Sequence, residues 1–215
     1  MRELREIRGL KYPDDFVVRW FFKRGLQDRP GRMLELGSGT GNNLTLPLAY
    51  GWTVTGVDID PAALDDARFN LGEGPELIAR DLSQGLPDKL GRFDAVMIPN
   101  LLCYLRLAEA QRLLDQLSAC LAPGGEVFVR TRLVDDYRYG RGEPVETDAF
   151  RLATPETGEA GLINRFYSEA GLVELLSGRL GLHEPETFRV RFDNLQAGRR
   201  VPGNSDLVVW GRTAA

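Results

Sequence analysis

A glycine-rich turn after a short apolar strand is the strongest chemical signal in this chain of 215 residues. Residues 33–36, Met-Leu-Glu-Leu, run directly into the sequence Gly-Ser-Gly-Thr-Gly at 37–41. Glycines allow a tight turn and let a ligand approach the main chain closely. Asp58 closes the next predicted strand, about 20 residues further on, where a carboxylate can accept from both hydroxyls of a ribose. Asp81 follows the third strand, so the three features face one crevice.

The residues around the turn narrow the class of nucleotide. A dinucleotide site has a third glycine where this chain has Asn42, and it places a pyrophosphate at the start of the helix. Glu35 stands two residues before the first glycine, and a carboxylate there suits a ligand with an ammonium group better than a pyrophosphate. The chain also lacks the GxxxxGK[ST] motif of a P-loop, which disfavours a nucleoside triphosphatase.

Composition describes an ordinary globular domain. Hydrophobic residues make up 43% of the chain and charged residues 27%, with a net charge of -4 that argues against nucleic-acid binding. Cys103 and Cys120 match neither a redox pair nor a zinc cluster, so free thiols and no metal are expected. The charged N-terminus lacks the apolar region of a signal peptide, and no apolar run is long enough for a membrane span. A cytoplasmic protein without membrane contact is therefore predicted.

Strand and helix patterns alternate along most of the chain. Strands are predicted at 33–36, 53–58, 76–80, 93–98, 126–132, 186–192 and 206–211. Helices are predicted at 13–26 and 43–50, from a cap at Asp60, at 106–121, and from a cap at Ser168 to Arg179. This alternation predicts a parallel sheet with helices on both faces. The segment 193–204 contains Gly198, Pro202 and Gly203, so a loop is expected there, between two antiparallel strands at one edge of the sheet.

The alternation stops at residues 133–166. This stretch is rich in Gly, Arg, Glu and Thr and shows little periodicity. A segment of this length in a compact domain is usually a functional lid or is poorly ordered.

Five segments together resemble the class I S-adenosylmethionine-dependent methyltransferases. They are MLELGSGTGNN (33–43), VTGVDIDPAAL (54–64), LIARDLSQGLP (77–87), FDAVMIPNLLCYL (93–105) and LAPGGEVFV (121–129). The resemblance implies an α/β, Rossmann-like three-layer sandwich whose seven-stranded, mostly parallel sheet has the order 3-2-1-4-5-7-6 and an antiparallel last strand. It implies one methyltransferase domain over 1–215, with an N-terminal helical cap at 1–30 and a lid or substrate-binding insertion at 133–167. The cofactor would be S-adenosyl-L-methionine and its product S-adenosyl-L-homocysteine.

The resemblance also implies residues for the methionine end of the cofactor. Glu35 would orient the ammonium group, directly or through water. Gly37, Ser38 and Gly39 would pass beneath the methionine part, and Tyr12 would close over it.

Four further residues would hold the nucleoside end. Asp58 would bind the ribose hydroxyls, and Ile59 would pack on the adenine ring. Asp81 would accept a hydrogen bond from the adenine amine, with Leu82 beside it.

The resemblance implies only two residues for the end of the cofactor that carries the methyl group. Pro99 and Asn100, after the fourth strand, would line the site near the sulfonium. Many relatives have a histidine after this strand, and the aligned residue here is Tyr104. No catalytic residue is therefore assigned, although a hydroxyl acceptor needs a base and an amine needs only to be unprotonated.

Acceptor binding is assigned to the N-terminal helix and the 133–166 segment. The candidate side chains are Tyr104, Tyr139, Arg141, Asn164 and Tyr167. Arginines with tyrosines in this segment could bind an anionic or sugar-phosphate ligand, and a solvated flap is the alternative. The chain lacks the motifs of amino-methylating nucleic-acid enzymes and of cytosine-C5 enzymes.

The leading expectation is methyl transfer to an oxygen or nitrogen of a small molecule, such as a sugar or polysaccharide precursor. The alternatives are a methyltransferase for a protein or RNA and a non-catalytic module that binds the cofactor. A monomer or a homodimer is expected.

Overall fold

A seven-stranded sheet forms the centre of the computed structural model, which describes residues 5–196 and 198–214. The strands of this sheet and of a smaller one are β1 (Arg32–Leu36), β2 (Thr53–Asp58), β3 (Glu76–Ala79), β4 (Phe93–Pro99), β5 (Leu121–Arg132), β6 (Gly142–Glu146), β7 (Ala149–Leu152), β8 (Ile163–Arg165), β9 (Leu182–Gln196) and β10 (Arg199–Thr213). The α-helices are α1 (Asp15–Lys23), α2 (Thr45–Ala49), α3 (Pro61–Leu71), α4 (Leu107–Cys120) and α5 (Glu169–Leu180).

The order of the main sheet is β3-β2-β1-β4-β5-β10-β9. Strands β1 to β5 pair in parallel, whereas β10 pairs antiparallel with both β5 and β9. Since β9 and β10 are the sixth and seventh strands of this sheet, the predicted order 3-2-1-4-5-7-6 and the antiparallel last strand are confirmed. The carboxyl ends of β1, β2, β3 and β4 therefore meet at one edge, where the predicted site residues lie.

The sheet has a hydrophobic core on each face. Successive residues of a strand point to opposite faces, so neighbours in β10 divide between the two cores. Leu207 and Val209 pack with α4 and α5, whereas Val208 and Trp210 pack with α1 and α3. Both faces of the sheet are thus covered by helices, as the alternating pattern predicts.

Helix α1 is shorter than the predicted 13–26. Pro13 lies before the helix, and the Asp14 side chain caps it by accepting from the main-chain N–H of Phe16 at 2.8 Å. Gly25, at a φ of 66°, marks the exit as predicted. The aspartate cap sets the start of α1. Its carboxylate oxygen accepts from one of the first helix N–H groups, which have no partner within the helix.

A buried carboxylate ties the α1 segment to the far end of the sheet. Glu126 of β5 is fully buried and pairs with Arg24 at 2.9 Å and with Arg29 and Arg212 at 2.8 Å each. A buried charge of this kind requires its partners, so the three guanidiniums hold the end of α1 and the last strand in place.

Residues 133–167, called the insertion below, are folded, so the alternative of a poorly ordered segment is wrong. Strands β6, β7 and β8 form a separate antiparallel sheet. These strands are only five, four and three residues long and include Gly142, Pro144 and Asn164. Such residues disfavour strands locally, so the sheet depends on cross-strand pairing that the sequence pattern does not reveal.

The loop predicted at 193–204 is also wrong. Strand β9 continues to Gln196 and β10 begins at Arg199, so the two strands extend through most of it. The ladder shifts register between Val201 and Asn204, so Pro202 and Gly203, the latter at a φ of 79°, fall in an irregularity. A bulge takes up residues that break a regular strand, and pairing then continues beyond them.

The remaining expectations concern the two cysteines, a membrane-spanning helix and the N-terminal cap. Cys103 is buried and Cys120 is half-buried, and both are free thiols. Within residues 5–196 and 198–214, no helix has both the length and the apolar character needed to cross a membrane. Residues 1–4 of the expected N-terminal cap lie outside the described residues.

Candidate functional site

Two adjoining cavities lie at the carboxyl edge of the sheet. All eleven residues predicted to bind the cofactor line one or both of them. The larger, called the Glu35 lobe, has a volume of about 740 Å³. The smaller, called the Asp58 lobe, has a volume of about 340 Å³. The lining of the Glu35 lobe includes Tyr12, Glu35, Gly37, Ser38, Gly39, Pro99 and Asn100. The lining of the Asp58 lobe includes Gly37, Asp58, Ile59, Asp81 and Leu82. Gly37 belongs to both and marks the junction.

The glycine turn is held open by hydrogen bonds to β2. The N–H groups of Gly37 and Ser38 donate to the carbonyl oxygen of Val57 at 2.8 and 3.1 Å. The N–H of Gly39 donates to Asp58 Oδ2 at 2.7 Å. Gly37 and Gly39 adopt φ values of 76° and 49°, which favour glycine. Asp58 therefore shapes the turn as well as lining the lobe beside it.

A second glycine supports the turn from beneath. A Cβ at Gly56 of β2 would lie 2.7 Å from Ser38 Oγ and 2.9 Å from a methyl group of Leu77. We expect Gly56→Ala to lower the free energy of unfolding by about 1–3 kcal/mol, because the added methyl overpacks this layer. Gly178→Ala in α5 is the matched control. It meets nothing within 4 Å and should raise the stability by about 0.5–1 kcal/mol. Urea unfolding of both variants measures the difference, and equal stabilities would contradict this account.

Glu35 is buried at the base of its lobe. Its Oε1 accepts from Asn43 Nδ2 at 2.7 Å, whereas Oε2 has no partner. Burial raises the pKa of Glu35 to about 8, against the lowering effect of the Asn43 hydrogen bond, and the charges of Asp58 and Asp14 add to the rise. A buried carboxyl group that lines a cavity and has an oxygen without a partner is suited to pair with a cationic group of a ligand.

A chain of polar contacts links Glu35 to the last strand. Asn43 Oδ1 accepts from the main-chain N–H of Asp14 at 2.8 Å. The Asp14 carboxylate pairs with Arg130 of β5. Arg130 in turn donates from Nε and Nη2 to Asp206 Oδ2 at 2.8 and 2.7 Å. These five residues, called the Glu35–Asp206 relay, connect β1, the glycine turn, the start of α1, β5 and β10.

The Asp58 lobe combines carboxylates with apolar walls. Asp81 Oδ1 accepts from the N–H of Ser83 at 2.9 Å, so this carboxylate also caps the short 3-10 helix Leu82–Gln84. Leu82 is buried at the wall, and Ile59 is 65% exposed at the rim. The insertion contributes Ile163 to the same lobe. A flat apolar group flanked by hydrogen-bonding groups fits such a lining.

Asn100 marks the end of β4 in an unusual conformation. Its φ of 57° lies in the left-handed region, which asparagine tolerates better than most residues. Its N–H donates to the carbonyl oxygen of Arg130 at 2.8 Å. This bond turns the chain sharply after Pro99 and places both residues in the Glu35 lobe.

Tyr104 lies in the Asp58 lobe, where its hydroxyl group is already committed. The hydroxyl donates to Glu159 Oε1 at 2.7 Å, and Arg132 contacts both groups. Burial raises the pKa of Tyr104 above its usual value, and the Glu159 carboxylate adds to the rise. The hydroxyl is therefore a poor proton acceptor.

The other four predicted acceptor residues lie away from both lobes. Tyr139 donates to Asp148 at 2.6 Å, within the insertion. Arg141 lines a separate small cavity. Asn164 is fully buried, and Tyr167 is buried with its hydroxyl on the carbonyl oxygen of Leu102 at 3.3 Å. These four side chains line neither lobe, so the expectation that they gather there around an acceptor is corrected.

The sequence prediction missed several residues that line the Glu35 lobe. They are Phe16, Asn43, Arg130, Val190 and Phe192. The sequence contains a signal for Arg130 and another for Val190 and Phe192. Arg130 is a charged residue near the carboxyl end of an apolar strand, and residues 188–192 alternate apolar side chains with arginines, which marks one apolar face. In the described residues, no three His, Cys, Asp or Glu side chains come together as a metal site.

Comparisons with known proteins agree with this geometry. Residues 34–127 match the family model described as a methyltransferase domain. The N-terminal domain of EvdMO1, solved with S-adenosylhomocysteine bound, superposes with a TM-score of 0.65 at 25% identity over 94% of this chain and 82% of that chain.

Two curated relatives match shorter segments. The 18S rRNA (guanine-N(7))-methyltransferase of Bos taurus is 39% identical over 69 residues, which are 32% of this chain and 24% of that protein. The ribosomal protein L11 methyltransferase of Thermus thermophilus is 34% identical over 111 residues, which are 50% of this chain and 41% of that protein. The chain thus spans less than half the length of either. The motifs, the sheet order and these similarities resemble those of the class I S-adenosylmethionine-dependent methyltransferases, and the family model covers residues 34–127 of the chain.

Proposed function

We propose that the protein transfers the methyl group of S-adenosylmethionine to an oxygen or nitrogen atom of a small molecule by in-line displacement. The observation that carries this proposal is the gathering of all eleven predicted cofactor residues along the Glu35 and Asp58 lobes. The similarity to a domain solved with S-adenosylhomocysteine supports the same cofactor.

The residues of the two lobes fit the halves of that cofactor. The free Oε2 of Glu35 suits the ammonium group, because a buried carboxyl oxygen without a partner gains most from a cationic donor. Asp58 suits the ribose, since each of its oxygens can still accept beyond its bond to a main-chain N–H. Leu82 and Ile59 offer apolar surface to the adenine, and Asp81 offers an acceptor.

The protein's main task in this reaction is alignment. When bound, S-adenosylmethionine supplies a methyl group already activated on a sulfonium. Holding donor and acceptor in line contributes about 7–11 kcal/mol to such a step. Tyr104 is a poor base because its hydroxyl donates to Glu159, and the single histidine, His183, is exposed at the start of β9. The site is therefore best suited to an acceptor that arrives unprotonated, such as a neutral amine.

The size and charge of the site support a small-molecule acceptor. The Glu35 lobe has more than twice the volume of the Asp58 lobe, although the methionine half of the cofactor is smaller than the adenosine half. The net charge of -4 disfavours RNA. The matches to an rRNA methyltransferase and a ribosomal protein methyltransferase favour the second candidate, transfer to RNA or protein.

Calorimetry tests the cofactor. We expect S-adenosylmethionine and S-adenosylhomocysteine to bind with micromolar affinity, about -8 kcal/mol. NADH and ATP at the same concentrations are the controls and should give no heat of binding. Tight binding of either control, with none of the methyl donor or its product, would remove the basis of the proposal.

Transfer of a radiolabelled methyl group identifies the acceptor class. Fractions of small metabolites, protein and RNA are incubated separately with the protein and labelled S-adenosylmethionine. We expect label in the metabolite fraction. Label only in RNA or protein would favour the second candidate, and cofactor binding without label in any fraction would indicate a non-catalytic module.

A further inference from the structure

The Glu35 lobe has space beyond what the methionine half of a cofactor needs. This space lies away from the glycine turn, on the side where α1 and the β9–β10 hairpin approach each other. The inference that follows rests on the proposed function, because it assigns this space to the methyl acceptor.

Three apolar side chains form one wall of this space. Phe16 comes from the first turn of α1, and Val190 and Phe192 come from the same face of β9. All three are half-buried, so each keeps apolar surface that a ligand can cover. Aromatic side chains in a cavity favour flat ring systems, which pack on them face to face or edge to face.

The lobe also has a polar part beside the apolar wall, and the positive charge there is already neutralised. Arg130 lines the lobe and uses three nitrogens on two carboxylates, Asp14 and Asp206. Its guanidinium also lies 5.6 Å from the ring centre of Phe192. One guanidinium between two carboxylates leaves a net charge of -1, and exposed Asp15 at the rim adds another negative charge.

This electrostatic pattern decides against anionic acceptors. A phosphate or carboxylate in this space would face Asp14 and would have to displace Asp14 or Asp206 from Arg130. Like charges at close range in a cavity strongly suppress binding. A neutral or cationic group meets carboxylate oxygens that can accept hydrogen bonds.

We propose that the methyl acceptor is a ring-bearing small molecule without an anionic group. Its ring packs against Phe16, Val190 and Phe192, and its polar end faces the ion pair between Asp14 and Arg130. This replaces the anionic or sugar-phosphate ligand expected from the arginines and tyrosines of the insertion, which lie elsewhere.

Three probes with one ring and different charges test the proposal on protein saturated with S-adenosylhomocysteine. Tryptamine is cationic, tryptophol is neutral and indole-3-acetate is anionic. Calorimetry should show binding of the first two and at least tenfold weaker binding of indole-3-acetate. Failure of S-adenosylhomocysteine itself to bind would count against the proposed function instead. Binding of indole-3-acetate as tight as that of tryptamine, or no binding of any probe to the loaded protein, would overturn the acceptor assignment.

Variants show which residues bind the ring and which discriminate against the anionic probe. Phe192→Ala should weaken tryptamine and tryptophol binding about tenfold and leave the affinity for S-adenosylhomocysteine unchanged. Phe22→Ala, an exposed phenylalanine of α1 outside the lobe, is the matched control and should alter neither affinity. Asp206→Asn frees part of Arg130 and should reduce the discrimination against indole-3-acetate. Unchanged discrimination in Asp206→Asn would show that the ion pairs do not select the acceptor.

Discussion

Glu35→Gln is expected to stabilise the cofactor-free protein at pH 7 while weakening its affinity for S-adenosylhomocysteine. Burial raises the pKa of Glu35 from its usual 4.5 to about 8. Between these values the folded protein keeps a proton that the unfolded chain has released, so stability falls as the pH rises through this window. At pH 7 the cost is about 3 kcal/mol, which glutamine avoids, and Tm should rise by roughly 6–12 °C. Glutamine keeps an oxygen for the Asn43 hydrogen bond.

The same substitution should weaken cofactor binding about 10- to 100-fold, because a charge-assisted hydrogen bond to the ammonium group is lost. In the wild type, binding at pH 7 should also release close to one proton, since the ammonium favours the ionised carboxylate. The binding enthalpy should then depend on the ionisation enthalpy of the buffer, and this dependence should vanish in Glu35→Gln. Glu73→Gln, at an exposed glutamate, is the control. A wild-type enthalpy that is the same in all buffers would exclude this role for Glu35.

Asp58→Ala is expected to weaken binding of S-adenosylhomocysteine by at least 100-fold, because two ribose hydrogen bonds to a carboxylate are worth about 1.5–3 kcal/mol each. The variant also removes the acceptor of the Gly39 N–H, so some loosening of the turn adds to the loss. Calorimetry measures the affinity, and urea unfolding measures the accompanying loss of stability.

A 2′,3′-dideoxy analogue of S-adenosylhomocysteine separates the two contributions of Asp58. The wild type should prefer the natural ligand strongly, and Asp58→Ala should bind both equally weakly. Asp60→Asn, which keeps an oxygen to cap α3 in place of the Asp60 carboxylate, is the control and should behave as the wild type. A preference that survives in Asp58→Ala would mean that the ribose is held elsewhere.

The central sheet and the gathering of the predicted cofactor residues at its edge were predictable because their signals are local. The glycine turn and Asp58 each follow a strand with a clear apolar pattern, and parallel strands bring their carboxyl ends to one edge. Helix α3 begins at Pro61 after the predicted cap Asp60, because capping depends on residues adjacent in sequence.

The Asp14–Arg130–Asp206 contacts at the Glu35 lobe were not predictable, because they join residues that are distant in sequence. Asp14 and Arg130 are separated by 116 residues and Arg130 and Asp206 by 76, and no local pattern reports such pairs. The strands of the insertion were not predicted for a related reason. Its short strands have poor local propensity, so the tyrosines and arginines that suggested a ligand site serve packing and ion pairs instead.

The Glu35–Asp206 relay has a consequence for any attempt to retarget the protein. The proposed donor and acceptor regions share one continuous set of hydrogen bonds. Substitutions made at Asp14, Arg130 or Asp206 to accommodate a new acceptor are therefore expected to affect Asn43 and Glu35. Effects of such substitutions will not add, because residues within one network are energetically coupled. Selectivity for one partner of the reaction and affinity for the other must therefore evolve together in this chain.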